Sequence, residues 1–200
     1  MSEQECNISI DETADIHPSV TLEGNITIGQ FVRIGHGTVI VGDVTVGDHT
    51  GIACSVVIRG PNTIGSYVQI YDNACIEGGR GSGVGTAEER DRSIIADGAW
   101  INHGATMHGC QIAEGAIIGL NVALDYNTRV GKGAILTNGS ACPVDTVIPD
   151  NCIAEGVPAK IVKRNITDED RIRVMGLLPS ARVRHFGERQ EQAALQKKGL

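Results

Sequence analysis

The sequence predicts an all-β fold, a left-handed parallel β-helix of hexapeptide repeats with a C-terminal α-helix, on three observations. The first is a six-residue period: Ile16, Leu22, Ile28, Ile34, Ile40, Val46, Ile52, Ile58, Ile64, Ile70 and Ile76 are all aliphatic. The second is a companion position two residues earlier that carries small side chains, among them Val20, Val32, Val44, Val56, Val68 and Ala74. The third is composition. Glycine is abundant at 26 residues while aromatics are only 3%, so the interior must be filled by branched and small groups rather than by large rings.

Period six matches neither the 3.6 of a helical face nor the 2.0 of a strand in a hairpin. It matches short strands joined by tight corners, three to a coil of about eighteen residues, with coils stacked at roughly 4.8 Å. No coil buries its apolar file alone, so stability comes from stacking. A β-sandwich of evenly spaced strands is the competing architecture.

The period stops after Ile76 and resumes at Ile95, Ile101 and Met107. It slips by one residue to Ile112, then runs through Ile118, Leu124, Val130, Leu136, Cys142 and Ile148 to Ala154. Residues 78–94 are glycine-rich and charged, and are expected to be a loop inserted at a corner. The β-helix is therefore expected to span 1–163. Residues 164–200 form a helical extension, with Thr167 capping an acidic first turn from Asp168 to Asp170. The first helix is expected to reach about Leu177 and Pro179 to break it; a second helix from Ser180 to Lys198 and a solvated tail over the last dozen residues are equal alternatives.

The formal net charge of −7, with no basic cluster before the tail, argues against a nucleic-acid partner. No apolar run is long enough for a membrane span. The N-terminus is too polar for a signal peptide, and six cysteines without C-x-x-C spacing suggest a reduced, cytoplasmic protein.

Stacking the coils gives a candidate site. The residue after each inward aliphatic points outward, and this places Arg59, Glu77, His108 and Asp125 in one file once the insertion and the slip are allowed for. A β-helix needs no charged file to fold. His103 lies five residues before His108 around a corner. Two nitrogens on one zinc, each about 2.0–2.1 Å from it, must sit closer together than that stretch of chain allows. A neighbouring copy in a three-fold assembly would have to supply His103.

The segment Trp100–Gly109 (WINHGATMHG), the Arg59-Gly60 pair and Gln69–Glu77 (QIYDNACIE) resemble the motifs of the gamma-class carbonic anhydrases, over about Ile16 to Lys163. The resemblance implies a homotrimer with one Zn2+ or Fe2+ per subunit interface, held by Glu77, His108 and a neighbour's His103. It also implies a salt bridge of Arg59 with Asp72 at the subunit contact, catalytic positions at Tyr71 and Asp72, and a proton shuttle at Glu88 and Glu89. The alternative for those two glutamates is a solvated charged loop, and for Glu77 an ion pair with Arg59 or a loop arginine. For His103 and His108 it is a pair of surface histidines making corner hydrogen bonds, and Tyr71 either donates to a bound oxyanion or covers the interface. The small-molecule substrate would be CO2 or another electrophile attacked by metal-activated water.

Three departures stand out: Glu77 replaces a ligand histidine, Tyr71 a glutamine, and Pro61 the aspartate of Arg-Gly-Asp. Two histidines and a carboxylate still suit zinc or ferrous iron, but the added negative charge makes bound water less acidic. Three other functions share the fold. One is an acyl-CoA thioester hydrolase, since Gly156–Lys160 (GVPAK) is similar to the ending of relatives in carnitine and phenylacetate operons. The second is an acyltransferase with a histidine base. The third is a non-catalytic trimeric scaffold.

Overall fold

The structure, a computed structural model, describes residues 7–79, 92–175, 191–192 and 195–196. The chain winds as a left-handed parallel β-solenoid of hexapeptide repeats followed by a C-terminal α-helix. Successive coils pair in register, so Ile34, Ile52, Ile70, Ile101, Ile118 and Leu136 form a single inward file. The files of period-six aliphatics and their small companions make one continuous core that includes Val32, Val56, Ala74, Ala105 and Val122. No helix among the described residues is long and apolar enough to cross a membrane.

The corners have their own chemistry. Asp48, Asp72, Asp97, Asn138 and Asp150 occupy equivalent places. Each accepts a backbone N–H from the coil before, at Gln30, Cys54, Ser66, Leu120 and Lys132, over 2.8–2.9 Å. These contacts satisfy donors that the bend takes out of the ladder. Gly60 turns a corner at φ +79°, where a Cβ would lie 2.1 Å from the Gly78 carbonyl oxygen. Phe31, His49 and Tyr67 stack at the corner of Asp48 and Asp97, with ring centroids 5.0 and 4.8 Å apart.

The chain re-enters the sheet at Ser93–Ile95, which pairs with Asn62–Ile64, so Ser93 and Ile94 are strand residues within the stretch read from sequence as a loop. The slip at Met107–Ile112 is a corner one residue shorter than its neighbours, with the buried Cys110 filling the companion position.

After Cys152–Glu155 the strand Lys160–Arg164 returns antiparallel. Ile166 then joins an outward but buried cluster with Trp100, Ile117, Ile135 and Ile153. The helix Asp168–Met175 begins with a reciprocal cap. The Thr167 N–H donates to Asp170 Oδ2 at 2.9 Å and the Asp170 N–H to Thr167 Oγ1 at 3.4 Å. Arg171 fastens the helix to the prism through the Gly133 carbonyl and Asn151 Oδ1. The second expected helix falls largely outside the described residues.

Candidate functional site

The strands Val57–Arg59, Cys75–Glu77, Thr106–His108, Ala123–Leu124 and Ala141–Cys142 lie side by side. Their outward residues form a strip of modest side chains: Val57, Cys75, Thr106, Ala123 and Ala141. All the strands run the same way, so residues preceding them share one edge of this strip and residues ending them share the other. Asp72 and His103 are on the first edge. Arg59, Glu77 and His108 are on the second.

At the second edge the register pairs Arg59 with Glu77 and Glu77 with His108. Arg59 Nη2 is 2.6 Å from Glu77 Oε1, and His108 Nε2 is 3.5 Å from Glu77 Oε2. One carboxylate thus bridges a guanidinium and an imidazole, each oxygen serving one of them. The Glu77 side chain is 29% exposed against 59% for Arg59, so the carboxylate is the more enclosed member. Asp125, the next residue of the expected file, turns its carboxylate to the adjacent Tyr126 N–H at 2.8 Å.

Two residues of this edge were not singled out in the sequence. The Tyr126 ring is tilted against His108 with centroids 5.3 Å apart. It comes so close to Gly79 that a Cβ there would lie 2.8 Å from Tyr126 Cε1. Cys75 shares the strand with Glu77. Its thiol pKa is raised, first by burial and then by Glu77, while the nearby Arg59 acts in the opposite direction. Both could have been found from the register, Tyr126 as the residue after Asp125 and Cys75 as the outward position before Ile76.

At the first edge His103 Nδ1 is 3.1 Å from Asp72 Oδ2, while Asp72 Oδ1 accepts the Cys54 N–H. Tyr71 packs edge-on to Trp100 and tilted on His103, at 5.7 and 5.0 Å between centroids. Within one chain, then, Asp72 partners His103 and Cys54, and Arg59 partners Glu77. Glu88 and Glu89 lie outside the described residues.

Glu77 Oε2 and His108 Nε2 stand at about the separation of two ligands on a tetrahedral zinc. His103, the third expected donor, sits on the opposite edge against Asp72. Among the described residues no three His, Cys, Asp or Glu side chains of one chain come together as a metal-holding group. One chain offers two donors, and the guanidinium of Arg59 already occupies the second oxygen of Glu77.

No family model matches the chain. Over 78 residues, 39% of the chain, it is 33% identical to a protein named gamma carbonic anhydrase 2, mitochondrial, of Arabidopsis thaliana. Over 92 residues, 42% of the chain, it is 32% identical to Arabidopsis thaliana serine acetyltransferase 2. The matched segments span only 28% and 27% of those proteins. A solved Bacillus cereus structure, itself only provisionally assigned as an acetyltransferase, superposes with a TM-score of 0.64 at 25% identity. That match covers 90% of this chain and 91% of the other. The fold is accordingly a hexapeptide-repeat β-helix related both to gamma carbonic anhydrases and to acyltransferases, and broadly an enzyme fold.

Proposed function

We propose that the protein acts on acyl-CoA thioesters, transferring the acyl group to a small acceptor or to water, with His108 as general base. The observation that carries this reading is the Arg59–Glu77–His108 arrangement: an imidazole beside a carboxylate that is itself held by a guanidinium. A carboxylate next to an imidazole orients the ring and stabilises the imidazolium formed when the ring takes a proton. His108 removes the proton from the acceptor's hydroxyl, amine or water as that group attacks the thioester carbonyl. The C–S bond breaks, and the imidazolium returns the proton to the departing thiolate. The products are the acylated acceptor, or the free acid, and coenzyme A.

The likeness to the Bacillus cereus structure over nine-tenths of both chains supports this reading, as does the segment shared with serine acetyltransferase 2. Because both edges flank one strip of small side chains, packing that strip against other copies in a homotrimer would set the His108 edge of one protomer near the His103–Asp72 edge of the next. A substrate would then lie between subunits.

A second reading is favoured by the 3.5 Å spacing of Glu77 Oε2 and His108 Nε2 and by the segment shared with gamma carbonic anhydrase 2. Here Glu77 and His108 would supply two donors and His103 of a neighbouring copy the third, to Zn2+ or Fe2+. A metal so bound would acidify a water for attack on CO2. In that case Glu77 would bind through Oε2 while Oε1 keeps Arg59, and the neighbouring copy's His103 would bind through Nε2 while Nδ1 keeps Asp72.

The test is thiol release from a panel of short- and medium-chain acyl-CoA thioesters, with and without amine and alcohol acceptors, run alongside CO2 hydration and metal analysis. The acyl-transfer reading expects thioester turnover that a chelator leaves intact. CO2 hydration with one metal per chain, and no thioester turnover, would establish the second reading instead.

A further inference from the structure

We infer that Tyr126 is a positioning residue for the His108 imidazole, and that the missing side chain of Gly79 is what allows it to take that position. This deepens the reading of His108 as the acting group and rests on it for its catalytic consequence.

The imidazole has neighbours on two sides. Glu77 approaches Nε2 at 3.5 Å, and the Tyr126 ring leans on it at 36° between planes, 5.3 Å between centroids. The first contact fixes which nitrogen meets the carboxylate. The second limits rotation of the ring about its own bond to Cβ. An imidazole on an exposed strand end otherwise turns freely, and a base displaced by about 1 Å can lose on the order of a hundredfold in rate.

The tyrosine is held for this purpose from its backbone and its far edge. Its N–H is bound by Asp125 Oδ1 at 2.8 Å and its carbonyl accepts the Asp145 N–H at 3.0 Å, so its Cα is fixed in the corner. The ring reaches back across the coil of His108 and runs alongside the backbone of Gly79, two coils before its own. A Cβ at Gly79 would lie 2.8 Å from Cε1 and 3.3 Å from the hydroxyl oxygen. Gly79 is not in the left-handed region, so its want of a side chain answers to this ring rather than to a turn. The three residues form a mechanical series in which the backbone at Gly79 sets the ring and the ring sets the imidazole.

The test uses the full chain with Tyr126→Phe, Tyr126→Leu, Gly79→Ala and the double variant Gly79→Ala/Tyr126→Leu. Two quantities are read: the NMR shifts of the His108 ring C–H protons, which feel the ring current of Tyr126, and kcat and KM for an acyl-CoA thioester. Tyr126→Phe should match the parent in both. Tyr126→Leu and Gly79→Ala should each move the His108 ring signals and lower kcat about tenfold with KM nearly unchanged, by misplacing the base. In the double variant Gly79→Ala should add nothing, because the ring it displaces is gone. Independent, additive effects, or His108 signals unmoved by Tyr126→Leu, would overturn the proposal. Should the parent protein lack thioester turnover, the acyl-transfer reading falls, while the ring shifts and their non-additivity still decide whether Tyr126 positions His108.

Discussion

Glu77 and His108 stand opposite one another on adjacent parallel strands, and Glu77 divides its two oxygens between His108 Nε2 at 3.5 Å and Arg59 Nη2 at 2.6 Å. An exposed ion pair of the Arg59 kind stabilises a fold by only about 0.2–1 kcal/mol. The arrangement therefore has little to offer stability and more to offer the imidazole. Arg59→Met is accordingly expected to fold with a urea midpoint close to the parent's while thioester turnover drops about tenfold, as the freed Glu77 loses its fixed orientation toward His108. A variant with full turnover would remove Arg59 from the account.

Thiol chemistry separates core from surface. Burial pushes the Cys110 thiol up to about 12 and the Cys142 thiol to about 11, whereas Cys54 is exposed. A raised thiol pKa keeps the unreactive protonated form through neutral and mildly alkaline pH. Brief alkylation of native protein at pH 8, followed by peptide mapping, should label Cys54 and spare Cys110 and Cys142, which become labelled only after unfolding. Rapid native labelling of Cys110 would mean the interior is open at its short corner.

The corners predict a difference between two glycines. Gly98→Ala meets open space at φ +66° and should cost about 1–2 kcal/mol for the left-handed conformation alone. Gly60→Ala at φ +79° adds an overlap with the Gly78 carbonyl oxygen, a backbone atom that cannot rotate away. Denaturant unfolding should show Gly60→Ala as clearly the more destabilised. Equal losses would mean that the Gly60 corner relaxes.

Acid should loosen the C-terminal helix first. The Asp170 carboxyl is lowered from 3.8 to about 2, chiefly by the hydrogen bond from Lys163 Nζ and then by the Thr167 N–H, with burial opposing. A carboxyl depressed in the folded state contributes stability that is fully present above its ordinary value, and the contribution is lost as pH falls through the folded one. Amide exchange across Thr167–Val174 should rise between pH 4 and pH 2 before the coils respond. In Asp170→Asn it should already be raised at pH 7. Unchanged exchange in that variant would show that Arg171 alone holds the helix.

The fold was legible because a stacked coil repeats its chemistry at a fixed interval. The inward file from Ile16 to Ile76 leaves no freedom in register. The same arithmetic placed Arg59, Glu77 and His108 together across an insertion and a short corner, since both interruptions fall between strands rather than inside them. The file's last member was less legible. The register reaches Asp125, but the Asp125 carboxylate bends to its neighbour's N–H, and it is Tyr126 that leans back over His108.

Asp72 is a different case. The sequence reading paired it with Arg59 across a subunit contact through resemblance alone, while its Oδ1 does the same corner work as Asp48, Asp97 and Asp150. That recurring acid was visible in the sequence, but its meaning depended on knowing which N–H each corner leaves open. Trp100 was opaque for another reason. It points outward from its strand, yet it is buried in a second cluster with Ile117, Ile135, Ile153 and Ile166, and Tyr71 packs edge-on to it.

We propose that His108, held by Glu77, acts as a base on a thioester. The most direct measurement is acyl-CoA turnover by the parent and by His108→Gln after exhaustive chelation. The chelated parent should keep its turnover, and His108→Gln, still folded, should lose on the order of 10²–10⁴-fold. Turnover that vanishes on chelation and returns with zinc or iron, or a His108→Gln variant as active as the parent, would contradict this role for His108.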